Sequence, residues 1–236
     1  MSKTSIKKVL RRIGLGSLAG PSRKQLLRNP LVQMDIQVLL DVGANTGQYA
    51  MEAREKGYKG RIISFEPLPD EHAALTRNAE RDPMWLVHPR AAVGAGVGLA
   101  IVNVAANSGS SSLLPMLATH RAAAPQSQYV RTAETPVIRL DSVIDDYISS
   151  GDRTFLKIDT QGYEGQVLDG LDERIACLTG LQIELSVVPL YEGQRLYTYF
   201  FDLLGQHGFV LWTLIPGLRD PTNGRLLQFD AVFVRG

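Results

Sequence analysis

A short glycine-bearing segment, residues 41–47, combines residue types that bind nucleotide-like ligands. It reads Asp-Val-Gly-Ala-Asn-Thr-Gly and stands between an apolar run at 38–42 and a run of helical composition at 48–56. Gly43 permits a tight turn through which the backbone can approach a ligand closely. Asn45 tolerates a positive φ better than most residues with side chains, so the turn can form without a second glycine there. A helix that begins after the turn offers free N–H groups to an anionic ligand group.

An acidic residue at the end of the next apolar run narrows the choice of ligand. Glu66 lies 19 residues beyond Gly47, where a carboxylate accepts hydrogen bonds from the hydroxyls of a ribose. NAD and S-adenosylmethionine both carry this ribose. Asp41 separates the two, because its carboxylate would repel a pyrophosphate but attract the ammonium and sulfonium groups of S-adenosylmethionine. The residues therefore favour an S-adenosylmethionine-dependent methyltransferase, and an NAD-dependent Rossmann oxidoreductase is the alternative.

Apolar runs of strand length alternate with segments of helical composition through most of the chain. Strands are predicted at 38–42, 61–66, within 85–93, and at 99–105, 136–140, 154–159 and 181–186, and helices at 48–56, 70–81, 141–148, 164–171 and 196–206. This alternation predicts an α/β fold with a mostly parallel sheet between two layers of helices. Two consecutive runs at 209–215 and 227–234 predict a C-terminal antiparallel hairpin. The expected fold is the Rossmann-like three-layer sandwich of the class I methyltransferases.

A third strand end, at Asp159, carries the residues that predict catalysis. Lys157 and Asp159 lie two apart on one predicted strand, so their side chains share a face of the sheet. A buried lysine needs a carboxylate partner, which Asp159 or Glu184 can provide. The pair is either a structural ion pair or a site that orients an acceptor hydroxyl and removes its proton. His120, in the segment 107–131 that we predict to be a lid or substrate loop, with disorder as the alternative, is a further candidate base.

Methyl transfer does not need a strong base, and the spacing of the acidic residues does not require a metal ion. Transfer from a sulfonium is an in-line displacement, so positioning supplies much of the rate. Asp159, Glu164 and Glu184 are carboxylates of the kind that bind divalent cations. Their spacing does not require an ion, and the need for a metal is left open.

Several short motifs, in this order and spacing, resemble those of the FkbM-type methyltransferases. They lie at 41–47, 65–67, 111–113, 140–143, 156–164, 183–186, 190–191 and 229–233. Lys-Ile-Asp-x-x-Gly-x-Glu, at 157–164, is the most specific of them. The resemblance implies a class I fold, S-adenosylmethionine as methyl donor, and O-methylation of a sugar, glycolipid or polyketide-type natural product. The family is broad, so the resemblance does not name the acceptor.

The resemblance also implies a role for each matching residue. The implied cofactor-binding set comprises Asp41, Gly43, Ala44, Asn45, Gly47, Glu66, Pro67, Ala91 and Asp159. Within this set, the turn at 41–47 would hold the methionine end of the cofactor, Glu66 would bind the ribose, and Ala91 would flank the adenine. Asp159 would lie near the methyl carbon, at the mouth of the acceptor pocket.

The charge of the chain is distributed unevenly. Residues 1–34 contain 8 lysines and arginines and no acidic residue, which leaves 17 of the 25 basic residues against 24 acidic ones in the remainder. Apolar residues among them follow the spacing of one helix face: Ile6, Val9, Leu10 and Ile13. We interpret residues 1–34 as a basic arm and residues 35–236 as the methyltransferase domain. The arm either lies on an anionic membrane surface or, alternatively, is solvated or packs on the domain.

Composition bears on where the protein acts. No apolar run approaches the roughly 20 residues of a bilayer span, and the N-terminus lacks the apolar block of a secretory signal. The single cysteine, Cys177, excludes an intrachain disulfide and fits a reducing compartment. We therefore expect a cytoplasmic protein, with peripheral contact to the inner membrane surface if the arm binds it.

The expected partner is a small-molecule, glycan or glycolipid acceptor rather than a nucleic acid. Methylation of a base amino group commonly uses a proline-rich loop after the fourth strand, and residues 159–162 contain no proline. The acidic domain also disfavours a phosphate backbone. A nucleic-acid methyltransferase is thus a second alternative, and the oligomeric state is left open.

The membrane interpretation predicts that deletion of residues 1–34 weakens binding to anionic liposomes and leaves S-adenosylmethionine binding intact. The basic residues lie in the arm, whereas the cofactor motifs lie outside it. Liposome co-sedimentation at low salt and calorimetry measure the two effects. A full-length protein that ignores anionic liposomes under these conditions would contradict the interpretation.

Overall fold

Ten strands form two sheets in residues 29–236, the part of the chain that the computed structural model describes. The strands are β1 (Val38–Val42), β2 (Arg61–Phe65), β3 (Trp85–Val87), β4 (Ala92–Val93), β5 (Gly98–Ala105), β6 (Tyr129–Ile138), β7 (Thr154–Ile158), β8 (Leu178–Ser186), β9 (Phe209–Pro216) and β10 (Gln228–Arg235). The helices of this part are α1 (Pro30–Gln33), α2 (Gln48–Glu55), α3 (Pro69–Ala79), α4 (Ala118–Ala123), α5 (Glu164–Leu171) and α6 (Tyr197–Gln206).

The larger sheet has seven strands in the order β3-β2-β1-β7-β8-β10-β9. The first five of these run parallel, and β10 is antiparallel to both β8 and β9. This arrangement confirms the predicted parallel sheet and its C-terminal antiparallel hairpin. Because parallel strands end at the same edge, residues that follow β1, β2 and β7 lie near one another there.

Helices cover both faces of this sheet. Along β1, Leu39 belongs to a core that α1, α2 and α3 cover, and Leu40 to a core that α5 and α6 cover. The alternation follows from the period of two in a strand, and both faces are apolar because both are buried. The predicted three-layer sandwich is confirmed.

In and beside the smaller sheet, the strands differ from two of the predicted ones. Residues 85–93 contain two strands rather than one: β3 belongs to the large sheet, and β4 pairs with β6 in the small one. The segments 99–105 and 136–140, both predicted to contain strands, pair in this sheet, with Leu99 opposite Pro136. However, β6 begins at Tyr129 rather than at residue 136, because residues 129–135 also pair with β5. These residues are largely polar, so the sequence gave no apolar run that would predict a strand there.

Two predicted segments differ from the structure. Residues 141–148 form turns and a single 3-10 turn at Ile144–Asp146 instead of a helix. Their β-branched residues lower the helix propensity, and Leu140 with Ile144 suffices to anchor the segment in the core. The segment at 107–131, predicted to be a lid or substrate loop, contains a 3-10 turn at Ser108–Ser110, then α4, and the start of β6; its role as a lid stays a prediction.

The described part of the predicted arm, residues 29–34, packs on the domain. Leu31, in α1, is fully buried against the core beside α2, and the Asn29 side chain caps the helix by accepting a hydrogen bond from Leu31 N at 3.0 Å. The helix predicted around residues 6–13 and the rest of the arm lie outside the described residues. Among residues 29–236, no helix is long and apolar enough to cross a bilayer.

The turn after β1 depends on a glycine, which a pair of substitutions tests. Gly43 (φ 80°) and Gly57 (φ 89°) both adopt left-handed backbone conformations. A Cβ on Gly43 would lie 1.9 Å from the carbonyl oxygen of Asp159, whereas a Cβ on Gly57 would meet nothing within 4 Å.

We therefore expect Gly57→Ala to lower the free energy of unfolding by about 1 kcal/mol, the cost of the backbone conformation alone. Gly43→Ala should lower it by about 3 kcal/mol more, because the two loops must also separate. Urea denaturation measures both values. Equal losses for the two variants would show that the loops after β1 and β7 do not depend on this contact.

Candidate active site

The turn at 41–47 has the shape that its glycines and Asn45 predict. Gly43, Asn45 (φ 50°) and Gly47 (φ 92°) all adopt positive φ. Gly43 lets the turn lie directly against the loop after β7, which brings Asp159 beside it. Gly47 has a packing role, because a Cβ there would lie 2.6 Å from the Trp85 ring.

The N–H groups of this turn are already bonded within the chain. The N–H groups of residues 43 and 44 both donate to the carbonyl oxygen of Phe65. The N–H of Asn45 donates to the Glu66 carboxylate, and the N–H of Thr46 donates to the side chains of Asn45 and Gln48. The N–H of Gly47 donates to the carbonyl oxygen of Ala44. The N–H groups of residues 43–47 are therefore not free for a ligand, and the prediction that the helix beginning at Gln48 offers free N–H groups stays a prediction. The turn contributes its shape and its neighbouring carboxylates instead.

A cavity of about 530 Å³ opens at the carboxyl edge of the large sheet. Eight of the predicted cofactor-binding residues line it: Asp41, Gly43, Ala44, Asn45, Glu66, Pro67, Ala91 and Asp159. Lys157 lines it as well. Gly47, Glu184 and His120 do not contribute to the lining.

Asp41 presents a carboxylate that the described residues leave partly unpaired. It is 1% exposed, and one oxygen accepts a 3.5 Å contact from Ser64 Oγ, while the other has no hydrogen bond within residues 29–236. Burial raises the pKa of Asp41 to about 6 despite the nearby Lys157. A cationic group in the cavity would satisfy this carboxylate.

Glu66 is held rigidly at the end of β2. Its oxygens accept hydrogen bonds from the backbone N–H groups of Asn45 (2.7 Å) and Leu68 (2.9 Å). Each oxygen keeps a further lone pair for a hydroxyl in the cavity. Burial raises the pKa of Glu66 to about 7, although the two backbone hydrogen bonds favour the ionised form.

Lys157 is the cation around which the site carboxylates gather. Its Nζ lies 3.0 Å from Asp159 Oδ2 and 3.8 Å from Asp230 Oδ1. Burial alone would lower the pKa of Lys157, but the surrounding carboxylates outweigh burial and raise it. Desolvation opposes ionisation of Asp159, but Lys157 and a hydrogen bond from Gln161 hold the Asp159 pKa below its ordinary value. The two groups form an ion pair at neutral pH.

Gln161 connects Asp159 to Glu184, a link that the sequence did not indicate. Its Nε2 donates to Asp159 Oδ1 (2.9 Å) and Glu184 Oε2 (2.5 Å), and its Oε1 accepts from the Tyr191 hydroxyl (2.8 Å). Desolvation and the charge of Asp159 raise the pKa of Glu184 well above its ordinary value. Gln161 therefore couples Asp159 to a carboxyl group whose ionisation its surroundings oppose.

Glu164 shapes the loop that carries Gln161. Its Oε1 accepts hydrogen bonds from the N–H groups of Thr160 and Gly162, both at 3.0 Å. This use explains the glutamate at the end of the 157–164 motif. It also leaves Glu164 turned into its own loop, and within residues 29–236 no group of three or more His, Cys, Asp or Glu side chains is placed to hold a metal ion.

His120 does not join the other catalytic candidates. Its ring is 2% exposed and packs edge-on against Tyr191, with ring centroids 5.0 Å apart. Burial lowers the pKa of His120. Tyr191 stands between His120 and Gln161, so the histidine lies behind the wall of the cavity instead of facing an acceptor.

Three further polar residues, Tyr49, Gln182 and Asp230, form a hydrogen-bonded chain at the cavity. The Tyr49 hydroxyl donates to Gln182 Oε1 at 3.0 Å, and Gln182 Nε2 donates to Asp230 Oδ1 at 3.0 Å. All three line the cavity. One signal was available in the sequence, because Gln182 precedes Glu184 by two residues just as Lys157 precedes Asp159.

The sequence profile of the methyltransferase FkbM domain matches residues 41–211, which is most of the chain. The chain belongs to this family. The protein is therefore an S-adenosylmethionine-dependent methyltransferase, as the motifs predicted, and the oxidoreductase alternative is set aside.

Other known proteins are similar to the chain at lower identity. A hexuronic acid methyltransferase from Haloferax volcanii is 25% identical over 188 residues, which cover 74% of this chain and 69% of that protein. A precorrin-6y C5,15-methyltransferase from Geobacter metallireducens is 13% identical with a TM-score of 0.45, covering 92% of each chain. An rRNA methylase from Streptococcus thermophilus is 10% identical with a TM-score of 0.46, covering 92% of this chain and 98% of that one.

The residues present fit S-adenosylmethionine. The unpaired oxygen of Asp41 suits its ammonium group, and the remaining lone pairs of Glu66 suit its ribose hydroxyls. Leu68, Ala91 and Val102 also line the cavity and can offer apolar contacts to the adenine.

Glu66 predicts how cofactor affinity changes with pH. Only the ionised carboxylate can accept from both ribose hydroxyls, and the pKa of Glu66 is about 7. The affinity for S-adenosylmethionine should therefore fall roughly tenfold from pH 8 to pH 6, as the ionised fraction falls. Glu66→Gln should bind more weakly at pH 8 and lose most of this pH dependence.

Calorimetric titration at both pH values measures the effect, with the exposed Glu80→Gln as matched control. An affinity of Glu66→Gln equal to that of the wild type at pH 8 would show that Glu66 does not bind the ribose.

Proposed function

We propose that the protein transfers a methyl group to a hydroxyl of a sugar, glycolipid or polyketide-type natural product, with a sugar as the favoured acceptor. The observation that carries the proposal is the set of carboxylate, amide and hydroxyl groups beside Asp159. Such groups complement a polyhydroxylated acceptor, because each can give or accept a hydrogen bond from a hydroxyl. The Haloferax relative, a hexuronic acid methyltransferase, supports a sugar as the acceptor.

Asp159 is the residue that we propose receives the acceptor hydroxyl. Bound S-adenosylmethionine supplies an electrophilic methyl group. Asp159 is partly exposed at the cavity, with 38% of its side chain accessible, and it is ionised. Its carboxylate can orient the hydroxyl and take its proton as the oxygen gains a methyl group.

Lys157 and Gln161 are positioning residues in this mechanism. Each binds a different oxygen of Asp159, which fixes the plane of the carboxylate. Lys157 also keeps Asp159 ionised. Glu184 holds the amide of Gln161 from the other side.

Nucleic-acid methylation has less support in the described residues. Lys56 and Lys157 are the only cations among the described residues that line the cavity, and each already pairs with a carboxylate. Cytoplasmic location and membrane contact through the basic arm stay predictions. If the arm binds a membrane, a glycolipid becomes the favoured acceptor.

The proposed role of Asp159 predicts a loss of turnover in Asp159→Asn. The amide cannot take the hydroxyl proton, so we expect kcat to fall by about 100-fold or more. The matched control is Asp202→Asn, because Asp202 is exposed on α6.

The assay follows label from S-adenosylmethionine into a cell extract. The labelled product should be a sugar or polyketide ether that is stable to mild alkali. Label in nucleic acid, or label released by alkali as methanol, would contradict O-methylation of a hydroxyl.

A further inference from the structure

The order of the strands divides the cavity into two sides. Glu66 follows β2, which neighbours β1 on one side, whereas β7, β8 and β10 follow on the other. The ribose-binding carboxylate therefore lies to one side of Asp41 and Asp159. The remaining side, over β7, β8 and β10, is free for the acceptor.

We call this second side the acceptor lobe and define it by six residues: Tyr49, Glu52, Lys56, Gln182, Ile215 and Asp230, all of which line the cavity. It runs between α2 and the last strands of the sheet. Lys157 joins it to the proposed catalytic carboxylate, because its ammonium contacts both Asp159 and Asp230. The Tyr49 ring also lies against this ammonium, at 5.6 Å from its centroid.

Carboxylates outnumber free cations in and beside the lobe. The carboxyl groups of Asp41, Asp159, Glu184 and Asp230 lie near the buried ammonium of Lys157. At the rim, Lys56 pairs with Glu52 in the preceding turn of α2. No arginine lies among the described residues that line the cavity.

Asp230 offers a hydrogen-bond acceptor that the described residues do not use. Its Oδ1 accepts from Gln182, and Oδ2 has no hydrogen-bond partner within residues 29–236. With 25% of the side chain exposed, Asp230 can accept a hydrogen bond from a hydroxyl group in the cavity. A carboxylate on the acceptor would meet the same group as a like charge in a partly desolvated lobe, which is unfavourable.

From these contacts we infer that the acceptor lobe selects a neutral polyhydroxylated sugar residue over a hexuronate, and that Asp230 is a specificity-determining residue. This inference rests on the proposed function and departs from the acidic sugar in the name of the Haloferax relative. It concerns the sugar residue that receives the methyl group, so charged groups elsewhere on a larger acceptor do not enter it.

The test compares matched acceptors that differ only in charge. The labelled product from the extract is hydrolysed to monosaccharides, and anion exchange shows whether the labelled one is neutral or acidic. The purified acceptor is then oxidised at its primary alcohol to the uronate. Wild-type enzyme, Asp230→Asn and the control Asp202→Asn are assayed on the alcohol and the uronate.

We expect the labelled monosaccharide to be neutral and the wild-type kcat/KM to be at least about tenfold lower for the uronate. Asp230→Asn should narrow this ratio by raising kcat/KM for the uronate, and Asp202→Asn should leave the ratio unchanged. Thermal melting and S-adenosylmethionine binding of Asp230→Asn confirm that the variant is folded.

Three outcomes overturn the inference while sugar methylation stands: an acidic labelled monosaccharide, equal kcat/KM for the two acceptors, or an unchanged ratio in Asp230→Asn. If no sugar is labelled, the proposed function fails first and the inference fails with it.

Discussion

The site depends on one ammonium group, that of Lys157, placed among carboxylates at the carboxyl edge of the sheet. Removing several carboxylates from water in one cleft is unfavourable unless a cation compensates them. Lys157 contacts Asp159 and Asp230 from a position that is itself 5% exposed. The ionised state of the proposed base requires this cation. The same ammonium group thus contacts the proposed catalytic carboxylate, Asp159, and the carboxylate of the acceptor lobe, Asp230.

Much of this arrangement follows from signals that are local in the sequence. A strand alternates its faces with a period of two, so Lys157 and Asp159 had to share a face. Asp41 lies beside Lys157 because β1 pairs with β7, which the spacing alone does not give. The positive φ of Asn45 follows from the tolerance of asparagine for that conformation. The parallel order of the sheet follows from the alternation of strands and helices. These features need only the residue types and their spacing over one or two elements.

The contacts that determine the acceptor lobe arise from long-range register, which spacing does not encode. Gln182 reaches Asp230 because β10 runs antiparallel to β8 with Glu184 opposite Asp230. Tyr49 joins them only because α2 packs across these strands. The position of His120 outside the cavity lining has the same origin. Its segment folds into α4, which buries the ring against Tyr191. The sequence alone shows only a histidine in a long segment of weak periodicity.

Burial raises the pKa values of Asp41 and Glu66, so their ionised forms are less favourable in the folded chain than in the unfolded chain. Between the ordinary carboxyl pKa of 4.5 and about 7, folded Glu66 retains a proton that the unfolded chain has released. The free energy of unfolding therefore decreases as pH rises through this window. Asp159 acts in the opposite direction, since Lys157 lowers its pKa.

Deeper in the same strands, Leu39 and Phe155 occupy the equivalent face with apolar side chains. Buried carboxylates in place of such an apolar face are typical of functional sites, which supports the proposed role of Asp41 in binding the cofactor.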